Sequence, residues 1–534
     1  MNVNPIETEI IKSALAYASE EMGIAVRNSA YSPNIKERLD HSCALFDRQA
    51  RLIAQAEHIP VHLGSLPWGL RETLRTIADA KQTICPGDMW VVNDPYISGT
   101  HLNDVTVIRP VFFNGSLAGY AANKAHHTDV GGMTPGSMSA DAFDLFAEGL
   151  IVPPMLLVQD NAALPQTIAL FRANSRTPQA RSGDLRAQMA GNYTGERRFL
   201  ELYQRYGEAL VEAAIARTLD DSERRMRKAL RELRSGSYSA EDFLEDRDGR
   251  PSIRIALRLR LGDGTAHLDY AGTATQLPFP MNAVYGVALS GIYYVLRAIT
   301  DPTIPMNEGC FRPISVDIPR GCVLNPRRPA PVSGGNVETS TRNADIVLQA
   351  LAQANPERVP AASGGTMSNV MMGGVRANGE SWAFYETNGC GMGARPNADG
   401  IDGIQCHMTN TLNTPIEAIE RDYPLRVTRY ELADGTGGAG KYRGGDGLIR
   451  ALELTEGTAR VSLLAERHTL HPRGAQGGSD AATGRHTLMR EGSERALPAK
   501  TSFTFAPQET LRVQTPGGGG YGVGVGEGTG GGEG

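Results

Sequence analysis

Apolar side chains recur at three- and four-residue steps through residues 5–28, PIETEIIKSALAYASEEMGIAVRN, the spacing that lines one stripe of a helix. The period then shortens. In DHSCALFDRQARLIAQ two short apolar runs flank polar turn residues, which predicts a two-stranded hairpin. MWVVNDPY, VTVIRPVFF and LAGYAANKAHH read as further strands, the last two joined at NGS, a hairpin turn. Residues 141–232 read as helical and end in DSERRMRKALRELRSGS, whose charges suit a solvated helix face. Period two returns in SIRIALRLRLGDGTAHLDYAGTA, where Ile253, Ile255, Leu257, Leu259 and Leu261 alternate ahead of Gly262-Asp263-Gly264. That is a strong antiparallel hairpin signal, and LIRALELTEGTARVSLLAERH repeats it around residue 457.

Glycine changes the picture between these runs. The 61 glycines gather in stretches such as VSGGNVETSTRNAD, SGGTMSN, NGCGMGARPNADG and DGTGGAGKYRGGDG, predicting tight turns and close backbone approaches. The tail TPGGGGYGVGVGEGTGGGEG has little to bury beyond about Val513 and is expected to fray, above all over residues 523–534; for TPGGGGYG the alternative is a segment tucked into an interface, where close backbone approach suits glycine. No fixed-period repeat is present. The expected fold is α+β, a multi-lobed mixed fold with antiparallel sheets and Gly-rich loops. Its expected units are an N-terminal domain over residues 1–235, a β-rich domain over 236–515, and a Gly-rich tail over 516–534, disordered at its end.

Composition narrows the function classes. The 534 residues are 41% hydrophobic and 21% charged, enough for a large core. A net charge of −6 and the lack of a basic stripe argue against nucleic acid or an anionic membrane as main partner. The start, MNVNPIETEIIKSALAY, carries acids where a signal peptide would be basic, and no window holds eighteen uninterrupted apolar residues. The six cysteines (43, 85, 310, 322, 390, 406) form no CxxC pair and are expected to be reduced thiols of a cytoplasmic protein.

Candidate chemistry clusters in the first quarter of the chain. GTHLNDVTVIRPVF sets His101 three residues before Asp104 at the mouth of a strand, and KAHHTDVGG ends another strand in His126 and His127. Imidazole with carboxylate suits zinc, manganese or iron(II) rather than a thiolate-bound structural zinc. An H-x-x-D spacing from loop into strand can aim both side chains at one point, which a histidine ending a neighbouring strand can also reach. Asp40, at another strand start, is a fourth candidate. Each also reads as a hydrogen-bonded loop residue, and spacing alone leaves that alternative open. No G-x-x-x-x-G-K-[ST] occurs, and no G-x-G-x-x-G follows a clear strand. GGAGKYRGGDG comes nearest, but tyrosine follows its lysine where Ser or Thr would hold magnesium, so it reads as a loop. Cys310 reads as packing, and Ser333 and Ser363 sit in no nucleophile elbow.

Read in order, ERLDHSCALFD, PVHLGSLP, PGDMWVVNDPYISGTHLNDVTVIRPVF, KAHHTDVGGMTPGS, RSGDLRAQMAG, DYAGTATQ, NEGCFRPI, NTPIEAIERDYPLRV and GGAGKYRGGDG resemble the hydantoinase B family. That family also contains the C-terminal half of 5-oxoprolinase, the caprolactamase β subunit and the large subunits of acetone and acetophenone carboxylases. The resemblance spans about residues 5 to 522. It implies a divalent metal held by Asp40, His101, Asp104 and His126, with His126 preferred to His127 on the family pattern alone. It further implies a hydantoinase A-type ATPase partner, of the sugar-kinase/actin-like kind, that uses ATP to phosphorylate the substrate's carbonyl oxygen. The lack of a phosphate loop here agrees with that division of labour. The carboxylase large subunits are longer, so the resemblance favours the ring-opening branch acting on hydantoin, 5-oxoproline or a similar lactam, in a hetero-oligomer. The alternatives are a subunit of an ATP-dependent ketone carboxylase and a non-catalytic scaffold for the ATPase. Asp129 and Asp94, near the implied ligands in sequence, are candidates for a catalytic base or for supporting the ligands; strand-end turn chemistry is the other reading.

Overall fold

In a computed structural model, residues 4–56 and 58–524 are described. The hairpins read from the first half assemble into one antiparallel sheet of seven strands: β1 (His41–Asp47), β2 (Leu52–Gln55), β3 (Met89–Val92), β4 (Asp104–Phe113), β5 (Ser116–His126), β6 (Met155–Gln159) and β7 (Ala162–Ala163). Their order is β2-β1-β5-β4-β3-β6-β7. The β4–β5 turn has Asn114 at φ 49° and Gly115 at φ 78°, the left-handed pair that lets a two-residue turn follow the strand twist. One face of the sheet packs Cys43, Leu45, Ala121 and Ala125 against Ile11, Met22 and Val26 of the helix Pro5–Ser29 and Phe199 of the helix Pro178–Tyr206. The two helices approach closely, because a Cβ on Gly195 would stand 2.4 Å from the Met22 sulfur. The other face, with Phe46, Trp90, Ile108 and Tyr120, joins a core that runs from Ala44 to Leu464 and includes Leu66 and Leu70 of the helix His62–Asp79.

The helical reading of 141–232 holds only from residue 165 onward, where helices span Pro165–Ala173, Pro178–Tyr206 and Glu208–Arg231. Before that, β6 and β7 extend the sheet from β3. The run MLLVQ is too short for periodicity to separate strand from helix, and the free edge of β3 decides it.

In the second half, strands Pro251–Gly262 and Thr265–Asp269 form the expected hairpin through Asp263 (φ 52°) and Gly264 (φ 71°). Strands Gly236–Glu245 and Ile314–Asp317 complete that sheet, and the helices Tyr285–Ile299 and Ser340–Ala354 share its core through Val287, Ile292, Ala344 and Val347. Two further sheets share one apolar cluster. Gly447–Leu454 and Ala459–Leu464, read as a hairpin, fall in different sheets of this pair. Both strands bury leucines in the shared cluster (Leu452, Leu454, Leu463), so residues 455–458 turn the corner between sheets. The fold class is α+β.

The first part of the Gly-rich tail takes the tucked alternative rather than fraying. Residues 516–520 are buried, and Gly518, Gly519 and Gly520 donate their amides to the carbonyls of Gly445, Ala362 and Ser479, each at 2.8 or 2.9 Å. A Cβ on Gly518 would lie 2.1 Å from the Met392 carbonyl oxygen, so glycine is what lets the chain thread there. Backbone pairing, rather than side-chain burial, anchors the segment. Gly438, Gly444 and Gly445 of GGAGKYRGGDG form part of its bed. The rest of the expected frayed end, residues 525–534, lies outside the described residues.

Candidate metal centre

Register builds the site. β4 begins at Asp104 and β5 ends at His126, and the two are directly paired across the ladder. His101 stands one turn earlier, where the Asp104 amide donates to the His101 carbonyl (3.1 Å). Asp40 precedes β1, and its carbonyl accepts the His126 amide (3.0 Å). Strand ends therefore deliver four side chains to one rim of the sheet.

Three donor atoms form a near-regular triangle. His101 Nε2 lies 3.1 Å from His126 Nδ1, and Asp104 Oδ1 lies 3.3 Å from the first and 3.5 Å from the second. Ligands about 2.1 Å from a tetrahedral zinc stand about 3.4 Å apart, so the triangle matches one face of such a coordination shell. All three residues are buried, no more than 2% exposed, and form a group of His and Asp donors suited to a metal. Asp40 Oδ2 is 3.8 Å from His126 Nδ1, farther out but on the same rim.

Residues not read as candidates complete the surroundings. His62 Nε2 reaches Asp104 Oδ2 at 3.3 Å while its Nδ1 bonds the Ser42 hydroxyl at 2.8 Å. Asn336, on the π-helical turn Gly335–Thr339, donates to the same Asp104 oxygen (3.4 Å). Tyr385 stacks on His126, 4.6 Å between ring centres and 9° from parallel, and the Arg38 guanidinium lies over the Tyr385 ring, 4.8 Å from its centre. The Tyr385 hydroxyl donates to Asn369, which donates to Glu338. His62 sits within PVHLGSLP, one of the stretches that carry the family resemblance; Asn336 and Tyr385 left no chemical signal in the sequence.

Electrostatics suit a cation. Burial alone would raise the Asp104 carboxyl, but the charge and hydrogen bond of His101, with bonds from His126 and His62, hold it well below the usual carboxylate range. Burial lowers His126 and His62 from their ordinary values, which favours neutral rings with lone pairs free to donate. Burial also raises Asp40. Beneath the site Lys124, donating to the Ser98 carbonyl and the Thr100 hydroxyl, is pushed down by burial to about 7. A cavity of about 20 Å³ touches Asp40, His62, Asp104 and His126, room for about one water.

The other candidates have separate partners. Strand alternation turns His127 away from His126, and its Nε2 bonds Gln188 (2.8 Å). Asp129 accepts amides from Gly131, Gly136 and Arg176 and pairs with the Arg176 guanidinium (3.0 Å). Asp94 caps the turn Pro95–Ser98 and pairs with Arg328. Turn and ion-pair chemistry occupies both carboxylates.

Comparison with known proteins bears on this arrangement. The family model described as Hydantoinase B/oxoprolinase matches residues 4–523. An uncharacterized protein of Methanocaldococcus jannaschii is 44% identical, covering 97% of this chain and 90% of its own length. The B subunit of a putative D-/L-hydantoinase from a Pseudomonas species is 33% identical over 90% of this chain and 83% of its own. 5-Oxoprolinase 1 of Arabidopsis thaliana is 34% identical over 96% of this chain, which spans only 41% of that protein's length. The crystal structure of an ATP-dependent caprolactamase from Pseudomonas jessenii superimposes with a TM-score of 0.91 at 32% identity, covering 98% of this chain and 92% of its own. Acetone carboxylase shares the fold, with a TM-score of 0.90 at 19% identity over 97% of this chain and 76% of its own.

Proposed function

The chain belongs to the hydantoinase B/oxoprolinase family, and we propose that it is the metal-bearing, ring-opening subunit of an ATP-dependent cyclic-amide hydrolase. Its substrate is hydantoin, 5-oxoproline or a similar lactam. The observation that carries this reading is the triangle of His101, Asp104 and His126, with sides of 3.1 to 3.5 Å. Likeness to the caprolactamase supports the substrate class.

An unstrained amide is a poor electrophile because resonance feeds its carbonyl carbon. A hydantoinase A-type partner that phosphorylates the carbonyl oxygen removes that protection. His101, Asp104, His126 and Asp40 would hold a zinc, manganese or iron ion, whose chemistry when bound would be to lower the pKa of water from 15.7 toward about 7. This chain's residues do the rest. Asp104 divides its oxygens, Oδ1 toward the two ring nitrogens and Oδ2 toward His62 and Asn336, which fixes its plane. Tyr385 fixes the His126 ring by stacking. Asp129 and Asp94 act as positioning residues: the first pins the loop behind His126, the second the turn that leads to His101.

The test is to co-purify the chain with its ATPase partner and assay a lactam panel. Ring opening should require ATP, stop on chelation and return with one of the three metals. Full activity after metal removal would sink the proposal. Product formation that depends on bicarbonate would assign the chain to the carboxylase branch.

A further inference from the structure

Six cysteines with no CxxC pair read as scattered thiols, yet the fold brings two together. Cys390 and Ile404 exchange both backbone hydrogen bonds at 2.9 Å, and the Cys406 thiol, two residues on, donates to the Ile404 carbonyl (3.6 Å), which seats it beside the Cys390 thiol. Cys390 is buried, whereas Cys406 is half-buried and lines a cavity of about 860 Å³. Ile404 to His407 wall this cavity while Met408 and Thr409 wall the metal cleft, so the thiols stand behind that site rather than in it.

The neighbours of Cys406 are chemically pointed. His407 holds a left-handed backbone, φ 59°, uncommon away from glycine and a mark of a position fixed by its surroundings. Its Nε2 lies 3.2 Å from Asp345 Oδ1. The other Asp345 oxygen is clamped by buried Arg342 (3.0 Å) and Arg467 (2.9 Å). The cavity-lining thiol of Cys406 is thus followed in sequence by an imidazole that stands beside an oriented carboxylate, the groups with which a protein activates a sulfur nucleophile.

We propose that Cys406 and Cys390 form a peroxide-reactive dithiol, Cys406 attacking and Cys390 resolving. The Cys406 thiolate attacks one oxygen of hydrogen peroxide, the O–O bond breaks, and the departing hydroxide takes a proton to leave as water. Cys406 becomes a sulfenic acid. The Cys390 sulfur then attacks the Cys406 sulfur, the S–O bond breaks, a second water leaves, and a disulfide remains. Two thiols are oxidised and one peroxide is reduced to two waters.

The polarity of the pair follows from its surroundings. The hydrogen bond from Cys390 lowers Cys406, with the His407 charge adding to it against burial. The same bond, together with burial, raises Cys390, which keeps its proton as donor. Burial works against the His407 imidazolium, but Asp345 prevails and raises it. By contrast burial pushes Cys310 up to about 11.

Treat the reduced full-length chain with hydrogen peroxide, then map its thiols by mass spectrometry. The free-thiol count should fall by two, with a linked peptide joining Cys390 to Cys406. Cys390→Ser should stop at a sulfenic acid on Cys406, trapped by a cyclic 1,3-diketone. Cys406 should react at least about tenfold faster than the exposed Cys85, and His407→Asn should erase that advantage. Reaction at Cys85 first, labelling of Cys390 in place of Cys406, or an unchanged rate in His407→Asn would each overturn the proposal. Melting curves of the reduced variants, matched to the parent, keep the comparison among folded chains.

Discussion

At the scale of single residues, ligands and their supports should separate in experiment. His101→Ala and Asp104→Ala each remove a corner of the donor triangle, and metal content measured by atomic emission should fall to background while the circular dichroism spectrum persists. His62 touches Asp104 only through its second oxygen. Loss of such an outer partner typically costs 10–100-fold in metal affinity, so His62→Ala should bind metal about that much more weakly without losing it. His127→Ala should leave metal stoichiometry untouched, because its ring serves Gln188; a bound fraction below that of His62→Ala would exchange the roles assigned to the two rings. The H-x-x-D pair and the strand-ending histidines were legible in the sequence because one turn and one hairpin register suffice to bring them together. Asn336 was not legible, since its approach to Asp104 spans 232 residues and depends on a π-helical turn. Cys390 and Cys406 were missed for a similar reason: sixteen residues apart, they meet through an isolated bridge that no short motif marks.

At the scale of elements, local signals read true and edge decisions did not. Hairpins turning at Asn114-Gly115 and Asp263-Gly264 announce themselves, because left-handed turn residues and alternation lie within one window. Whether MLLVQ becomes strand or helix depends on the free edge of β3, and whether the strands flanking residue 457 pair depends on a facing sheet. The glycine tail is the sharpest case. Counting side chains finds nothing to bury there, whereas the backbone makes its own bonds in a bed of other glycines. Gly518→Ala should therefore lower stability by about 1–3 kcal/mol, since its Cβ meets a backbone carbonyl at 2.1 Å that cannot swing aside. Truncation after residue 515 removes the whole strap, including the Tyr521 hydroxyl bond to the Pro356 carbonyl (3.0 Å). Its melting temperature should drop by several degrees or more. An unchanged melting curve for the truncated chain would show that the strap is ornamental.

At the scale of the whole molecule, the proposed function divides two kinds of chemistry between two chains. The nearest approach to a phosphate loop, GGAGKYRGGDG, has Gly438, Gly444 and Gly445 packed against residues 518–520, with the Gly438 and Gly444 amides bonded to the carbonyls of Gly518 and Gly438. Anion binding by such a loop requires amides that point at the ligand. By itself the chain should therefore bind ATP no tighter than about 1 mM by calorimetry, and a micromolar constant would place nucleotide chemistry here after all. The separation has a consequence for the assembled complex. If the partner spends ATP to activate the lactam and this chain supplies the water, disabling the metal centre should leave the first event standing. A complex carrying Asp104→Ala, its fold intact, should still release ADP in response to lactam but open few rings, so the ratio of ADP formed to ring opened rises. The activated substrate would instead lose its phosphate to bulk water and return to lactam. Parallel loss of ADP release and ring opening, in a variant that still assembles with its partner, would mean that the metal centre takes part in activation itself.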